Sequence, residues 1–238
     1  MSLSARYLTG EYEEKNPTFH VEDSPWKARQ IEKMLTAEGL APQRVAEVGC
    51  GAGEILVQLA ARYPAAQFHG YELSPQGFAL CQQRASDRIQ FSNEDFSKSA
   101  GPPFDVVLCI DVFEHVEDPF AFLRGLRGRG SSFLFHIPLD MNVQMVLRSE
   151  PLLRVREQVG HLHYFSKDTA LSTLEECGYA VRAWFYTPNG VERPTSAKAR
   201  LLQWPRRLLF SLHQDLTVRI IGGYSLLVHA VPRDPSME

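Results

Sequence analysis

The sequence predicts an α/β fold: a doubly wound, mostly parallel seven-stranded sheet with helices on both faces, plus helical insertions that cover a substrate. Three observations predict it. From Arg44 onward, short apolar runs alternate with helical patterns, the sign of a parallel sheet covered on both sides. The first of these runs empties into a loop with glycine at alternate positions, Gly49, Gly51 and Gly53, and passes straight into a helix. Two connections, Asp140–Tyr164 and Thr187–Gly223, are longer than such a sheet requires, and connections of that length carry function or helices of their own.

Taken in order, Met1–Asp23 is polar with interspersed aromatics (Tyr7, Tyr12, Phe19) and shows no periodicity, which reads as a frayed end or a flap. A helix is expected with Ser24 as N-cap and Pro25 in the first position, where its missing N–H costs nothing; Ile31, Met34 and Leu35 recur at helical spacing and Gly39 ends the run. Strands follow near Arg44–Val48, Gln67–Tyr71, Arg88–Phe91, Asp105–Ile110 and Ser131–Ile137, with helices near Glu54–Tyr63, Pro75–Ala85 and Pro119–Leu126. A helix at Ser166–Cys177, a strand at Ala180–Tyr186 and a last strand at Tyr224–Val231 complete the sheet. The whole chain, 1–238, reads as one domain: an N-terminal flap and helix (1–40), a cofactor-binding core (41–190), insertions on the substrate side (140–164 and 187–223) and the last strand (224–231).

With 238 residues, 44% hydrophobic and 22% charged, a sizeable core can form and wholesale disorder is excluded. A net charge of −3 lacks the basic surplus that nucleic-acid binding normally leaves, so no nucleic acid is expected as partner. Cys50, Cys81, Cys109 and Cys177 are scattered without C-x-x-C spacing and read as buried thiols. The N-terminus has no apolar signal core, and no window approaches the ~20 apolar residues of a spanning helix. A cytoplasmic enzyme, monomer or homodimer, is the expectation.

Four motifs carry the chemistry. In Glu47-Val48-Gly49-Cys50-Gly51-Ala52-Gly53-Glu54 the glycines permit a sharp turn and close approach of a ligand to backbone. The spacing is G-x-G-x-G behind an acid, not the G-x-G-x-x-G that seats a pyrophosphate on a helix N-terminus. Glu47 would repel a pyrophosphate and suits a ligand with an ammonium and a sulfonium, as S-adenosylmethionine has. Second, Glu72 ends the second strand about 20 residues beyond the loop, where a carboxylate can accept from two ribose hydroxyls. Third, Asn93-Glu94-Asp95-Phe96 follows the third strand; a carboxylate there can accept from an adenine amino group while an apolar ring covers the base. Fourth, the apolar strand ending at Ile110 empties into Asp111-Val112-Phe113-Glu114-His115, beyond the carboxyl edge where open sheets bind ligands.

In this order the four motifs resemble the class I S-adenosylmethionine-dependent methyltransferases over roughly residues 40–190. The run Asp111–Pro119 and the Gly160–Ser166 segment look like the small-molecule branch that includes the ubiquinone-biosynthesis O-methyltransferases. The resemblance implies that Glu47, Gly49 and Gly51 hold the methionine part, Glu72 the ribose, Asp95 and Phe96 the adenine, and that Asp111 lines the transfer site. Their neighbours Cys50, Gly53, Leu73, Asn93, Glu94, Ile110, Val112 and His115 complete the expected cofactor contacts.

Methyl transfer to a small-molecule acceptor, most simply a hydroxyl oxygen of a specialised metabolite, glycan or quinone, follows as the expected function. N- or C-methylation, a non-catalytic S-adenosylmethionine-binding module and an NAD-dependent oxidoreductase are the alternatives. The sulfonium supplies the activation, so the protein must align the reactants and, for a hydroxyl, take a proton. Histidine has the appropriate pKa, and His161, His115 and His163 are the candidates; His161 and His163, two apart, would share a side in an extended segment. His136 sits inside a strand and reads as structural. No metal is expected, because His115, His161 and His163 contain no tight i, i+4 pair. Finally, Ser196–Leu212 is basic and amphipathic: Leu201, Leu208 and Leu212 share a stripe beside Leu202 and Leu209, arginines occupy the rest, and Pro205 breaks the segment or begins a second helix. Such a helix packs its leucines on the sheet, lies on an anionic membrane or grips an acidic substrate.

Overall fold

The computed structural model describes residues 10–193 and 197–233. The Tyr7 part of the expected flap and Ser196 of the basic segment lie outside the described residues. A seven-stranded sheet runs β1 Arg44–Val48, β2 Gln67–Tyr71, β3 Ile89–Ser92, β4 Phe104–Ile110, β5 Gly130–Pro138, β6 Tyr179–Thr187 and β7 Ser225–Pro232. Their spatial order is β3-β2-β1-β4-β5-β7-β6. β1 pairs in parallel with both β2 and β4, whereas β7 runs antiparallel between β5 and β6. The chain order reverses at β1 and β4, so the crevice beyond their carboxyl ends is the topological switch point where open α/β sheets bind ligands. β4 and β5 are apolar on both faces because helices cover both. One buried cluster, built on Phe133, Phe135, Tyr179 and Leu226, fills one face of the sheet; another, built on Ile31, Leu56, Leu59 and Leu134, fills the other.

The helices that position the site are α1 Glu11–Lys15, α2 Ser24–Ala37, α3 Glu54–Arg62, α4 Pro75–Gln82 and α5 Pro119–Leu126. α2 begins one residue earlier than its sequence suggests. Ser24 is buried inside the helix, and Asp23 in the cap position caps nothing, its carboxylate being held by Arg193. The 140–164 connection folds into α6 Val143–Arg148 and α7 Glu150–Gln158. α8 Lys167–Glu176 then leads into β6 under a capping box of Ser166 and Thr169. The second long connection carries α9 Asn189–Glu192, α10 Ala197–Leu201, α11 Gln203–Leu212 and α12 Gln214–Ile221. Pro205 falls in the first turn of α11, where its missing N–H breaks no helical bond.

The leucine stripe does not pack on the sheet. Phe210 stacks on Tyr224 at 4.8 Å and lies edge-on to Tyr186, and this turns the opposite face of α11, with Leu208 and Leu212, to solvent; Leu201 at the end of α10 is exposed as well. Among the described residues no helix is long and apolar enough to cross a membrane.

Candidate functional site

The carboxyl ends of β1, β2 and β4 open into a cavity of about 530 Å³, within the size range of small-molecule sites. Gly49, Gly51 and Gly53 all take left-handed φ, at 64°, 54° and 78°, which strains any other residue. Gly49 and Gly51 line the cavity; Gly53 does not, and its lack of a side chain makes room for Phe91, whose ring would lie 2.6 Å from a Cβ there. Glu47, last but one in β1, is 1% exposed, and its Oε2 has no hydrogen-bond partner among the described residues. Burial pushes its carboxyl up to about 8, Lys27 opposing and Glu72 adding to the rise. A buried, unmatched carboxylate at the cavity wall fits a cationic ligand, whose charge would return it to the ionised form.

Glu72 is committed at both oxygens. One accepts from the Gly51 amide at 2.7 Å and the other from the Ser74 amide at 2.8 Å, which ties the glycine loop to the end of β2. A carboxylate has lone pairs beyond those two, so ribose hydroxyls can still be accepted. Asp95 caps a short turn by accepting from the Ser97 amide and hydroxyl; against the upward pull of burial, these bonds and Lys98 hold its carboxyl below the usual range. Phe96 lines the cavity, yet its ring is buried against Tyr71 at 4.7 Å and Phe104 at 6.0 Å, while the side chain of Leu73 is exposed there. Asn93 does not line the cavity. It braces the loop by donating to the carbonyls of Glu72 and Leu73. Cys50, Glu94, Ile110, Val112 and His115 all line it.

Asp111 adopts a left-handed φ of 55°, rare for a residue with a side chain, and the energy is offset by what its carboxylate reaches. Lys27 of α2 lies 2.7 Å from one oxygen and His136 Nδ1 2.5 Å from the other. Burial works against ionisation, but His136 and Lys27 overcome it and hold Asp111 far below the usual carboxylate range. His136 Nε2 in turn meets Thr187 at 2.8 Å, and the Trp26 ring stands edge-on to the imidazole. This network fixes the floor of the cavity and leaves Asp111 no capacity as a base.

At the other side of the cavity His161 is buried, with Nδ1 2.7 Å from Asp140. Asp140 thereby sets tautomer and ring orientation, and Nε2 is the nitrogen left for a substrate. His115 lies against it, ring centroids 4.8 Å apart; burial first, and then the neighbouring imidazole of His161, pull the His115 pKa down to about 3, so it is neutral at working pH. His163 does not line the cavity. The amides of Leu162 and His163 both donate to the Glu114 carbonyl, so the segment curls, the alternation of an extended chain fails, and the His163 ring turns to the Val116 carbonyl. Glu114 was not singled out by its sequence context, but its side chain is 1% exposed with neither carboxylate oxygen bonded among the described residues. Burial and Asp111 hold its carboxyl well above the usual range. Donor atoms of Glu114, His115 and His161 lie within 4.8 Å of one another, a set that could take a cation and that excludes His163.

The N-terminal segment, expected as a frayed end or a flap, reaches the cavity. Tyr12, Phe19 and His20 line the cavity, and Lys15 and Asn16 hold the N-terminal segment to the end of α7 through the carbonyls of Glu157 and Gln158.

Known proteins resemble this chain in sequence and fold. Residues 46–129 match the family model described as a methyltransferase domain. That stretch, about a third of the chain, resembles a class I methyltransferase domain. The ubiquinone biosynthesis O-methyltransferase of Vibrio campbellii is 26% identical over 139 residues, 53% of this chain and 58% of that protein. The enzyme of the same name from Neisseria meningitidis is 35% identical over 128 residues, 48% of this chain and 53% of that protein. The chain thus spans little more than half the length of these curated relatives. Magnesium protoporphyrin IX methyltransferase from Synechocystis PCC 6803, solved with bound SAH, superposes with a TM-score of 0.59 at 18% identity, covering 88% of this chain and 83% of that one. At that identity the likeness carries the fold alone, an α/β methyltransferase-like fold.

Proposed function

We propose that the protein transfers a methyl group from S-adenosylmethionine to a hydroxyl of a small molecule, with His161 as general base. The observation that carries this is that His161, oriented by Asp140 from behind, lines the same cavity as Glu47, Gly49, Gly51 and Glu72. When bound, S-adenosylmethionine supplies a methyl carbon already activated by positive sulfur. The residues then have limited work to do: Glu47 holds the amino-acid end, which the side-chain-free Gly49 and Gly51 let approach the backbone, Glu72 holds the ribose, and the Val112, Val116 and Phe122 side chains give the acceptor an apolar wall that keeps water out. His161 Nε2 accepts the hydroxyl proton as the oxygen attacks, and Asp140 stabilises the imidazolium that forms.

The test separates binding from chemistry. Glu72→Ala is expected to lose cofactor affinity in a calorimetric titration, because it removes a ligand and unties Gly51. His161→Ala should bind S-adenosylhomocysteine as the parent does and turn over at least a hundredfold more slowly on a phenolic acceptor, scored by S-adenosylhomocysteine release; general-base removal costs roughly that much or more. Equal affinity loss in both variants, or tight NAD binding with no response to either sulfur ligand, contradicts the proposal. Amines and sugars in the same panel identify the acceptor atom.

A further inference from the structure

Outside the cavity the most unusual feature is a surface. Leu147, Leu201, Trp204 and Leu212 are 80%, 79%, 76% and 74% exposed, and Leu208 at 62% joins them. Scattered exposed leucines are ordinary, but these recur at helical spacing on connected elements. Positions 204, 208 and 212 form one stripe along α11, Leu216 and Ile220 one along α12, and Val143 and Leu147 one along α6. α11 packs on α12, and α12 on α6, so the stripes belong to adjoining helices. Each helix presents to water the face that a globular protein buries, and contiguous apolar surface of this kind marks an interaction site.

Charge decides the partner. From residue 194 to 214 the chain carries Lys198, Arg200, Arg206 and Arg207 and no acidic residue, although its net charge is −3. Arg207 lies over the Trp204 ring at 5.8 Å, a cation beside an indole at the edge of the stripe. The acids nearby are engaged within the fold: Asp215 by Lys167 and Tyr186, and Asp168 by Arg219. A second copy docked through the same face would set these arginines against their own kind, a repulsion that disfavours a twofold pairing. Leucines and a tryptophan on one side of a helix with arginines flanking them match an anionic lipid surface: the apolar face enters the acyl boundary, tryptophan sits at headgroup level and the cations meet phosphate.

We infer that α6, α11 and α12 form a platform that docks the protein peripherally on an anionic bilayer. The inference does not depend on methyl transfer, and its test is independent of activity. In flotation the intact protein is expected to rise with vesicles of equal parts phosphatidylglycerol and phosphatidylcholine and to bind phosphatidylcholine vesicles at least tenfold less. The triple variant Trp204→Glu/Leu208→Glu/Leu212→Glu should lose anionic-vesicle binding at least tenfold, with its thermal melt and S-adenosylhomocysteine affinity unchanged, since these side chains pack on nothing in the cavity. Arg200→Gln/Arg207→Gln should weaken binding and flatten its dependence on salt. Parent protein that stays unbound on anionic vesicles overturns the inference, as does a triple variant that binds like the parent. So does a parent that sediments as a dimer the triple variant abolishes while neither binds vesicles, because the platform would then be a protein interface.

Discussion

Replacing Glu47 with Gln should make the protein more stable and less able to hold its cofactor. Glu47 is buried with one carboxylate oxygen unmatched, and burial raises its carboxyl to about 8. In the unfolded chain the same group titrates near ~4.3. Its folded pKa lies above its unfolded one, so the contribution is fully present below ~4.3 and is lost as pH rises through about 8. At about 1.4 kcal/mol per pH unit, the loss reaches roughly 1 kcal/mol near pH 5 and roughly 5 kcal/mol above pH 8. Glutamine keeps the shape and cannot ionise. Urea unfolding of cofactor-free protein should therefore show the Glu47→Gln variant ahead by a margin that widens by about 4 kcal/mol between pH 5 and pH 8.5. Glu72 and Glu114 are present in both proteins, so their own slopes cancel in the difference. In the same samples, cofactor affinity should fall roughly tenfold to a hundredfold, the value of a charge-assisted hydrogen bond. Parallel stability curves across that pH range would show that Glu47 ionises normally in the fold, and the account of its role would fail.

Lys27→Met leaves the Asp111 carboxylate half-compensated in the cavity floor and should cost about 3–5 kcal/mol in urea unfolding; a change under 1 kcal/mol would mean that His136 alone satisfies Asp111. Asp140→Asn keeps the hydrogen-bond geometry but removes the charge opposite His161, so kcat should drop about 10²–10⁴-fold while the S-adenosylhomocysteine Kd holds. Dialysis against EDTA should leave turnover unchanged, since the proposed chemistry uses no metal. Loss of activity restored by a divalent cation would instead assign Glu114, His115 and His161 as its ligands.

Much of the site was legible because its parts sit at sequence-local transitions. Glu47 with its glycines, Glu72, Asp95 and Asp111 each stand where an apolar strand stops, and a parallel sheet collects those ends at one edge. Asp140 follows β5 in the same way, so the rule that selected Asp111 would have selected it too. Lys27 is different: it joins Asp111 across 84 positions and sits between buried Trp26 and Ala28, and only that burial on both sides hints at a lysine pointing inward. The expectation for His163 relied on an extended backbone, which two amides converging on one carbonyl rule out.

The sequence by itself determined the alternation of strands and helices, the left-handed glycine loop and the acids at the strand ends, because each follows from hydrophobic period and backbone sterics within a few residues. Tertiary structure decided which charges meet: Lys27 and His136 on Asp111, and Asp140 on His161, while among the described residues Glu47 Oε2 and both Glu114 carboxylate oxygens accept no hydrogen bond. It also decided that the leucines of α11 face water, since the contacts of Phe210 with Tyr224 and Tyr186 set the rotation of the helix. Pairings of this kind depend on distances between residues far apart in the chain, and hydrophobic pattern carries no record of them.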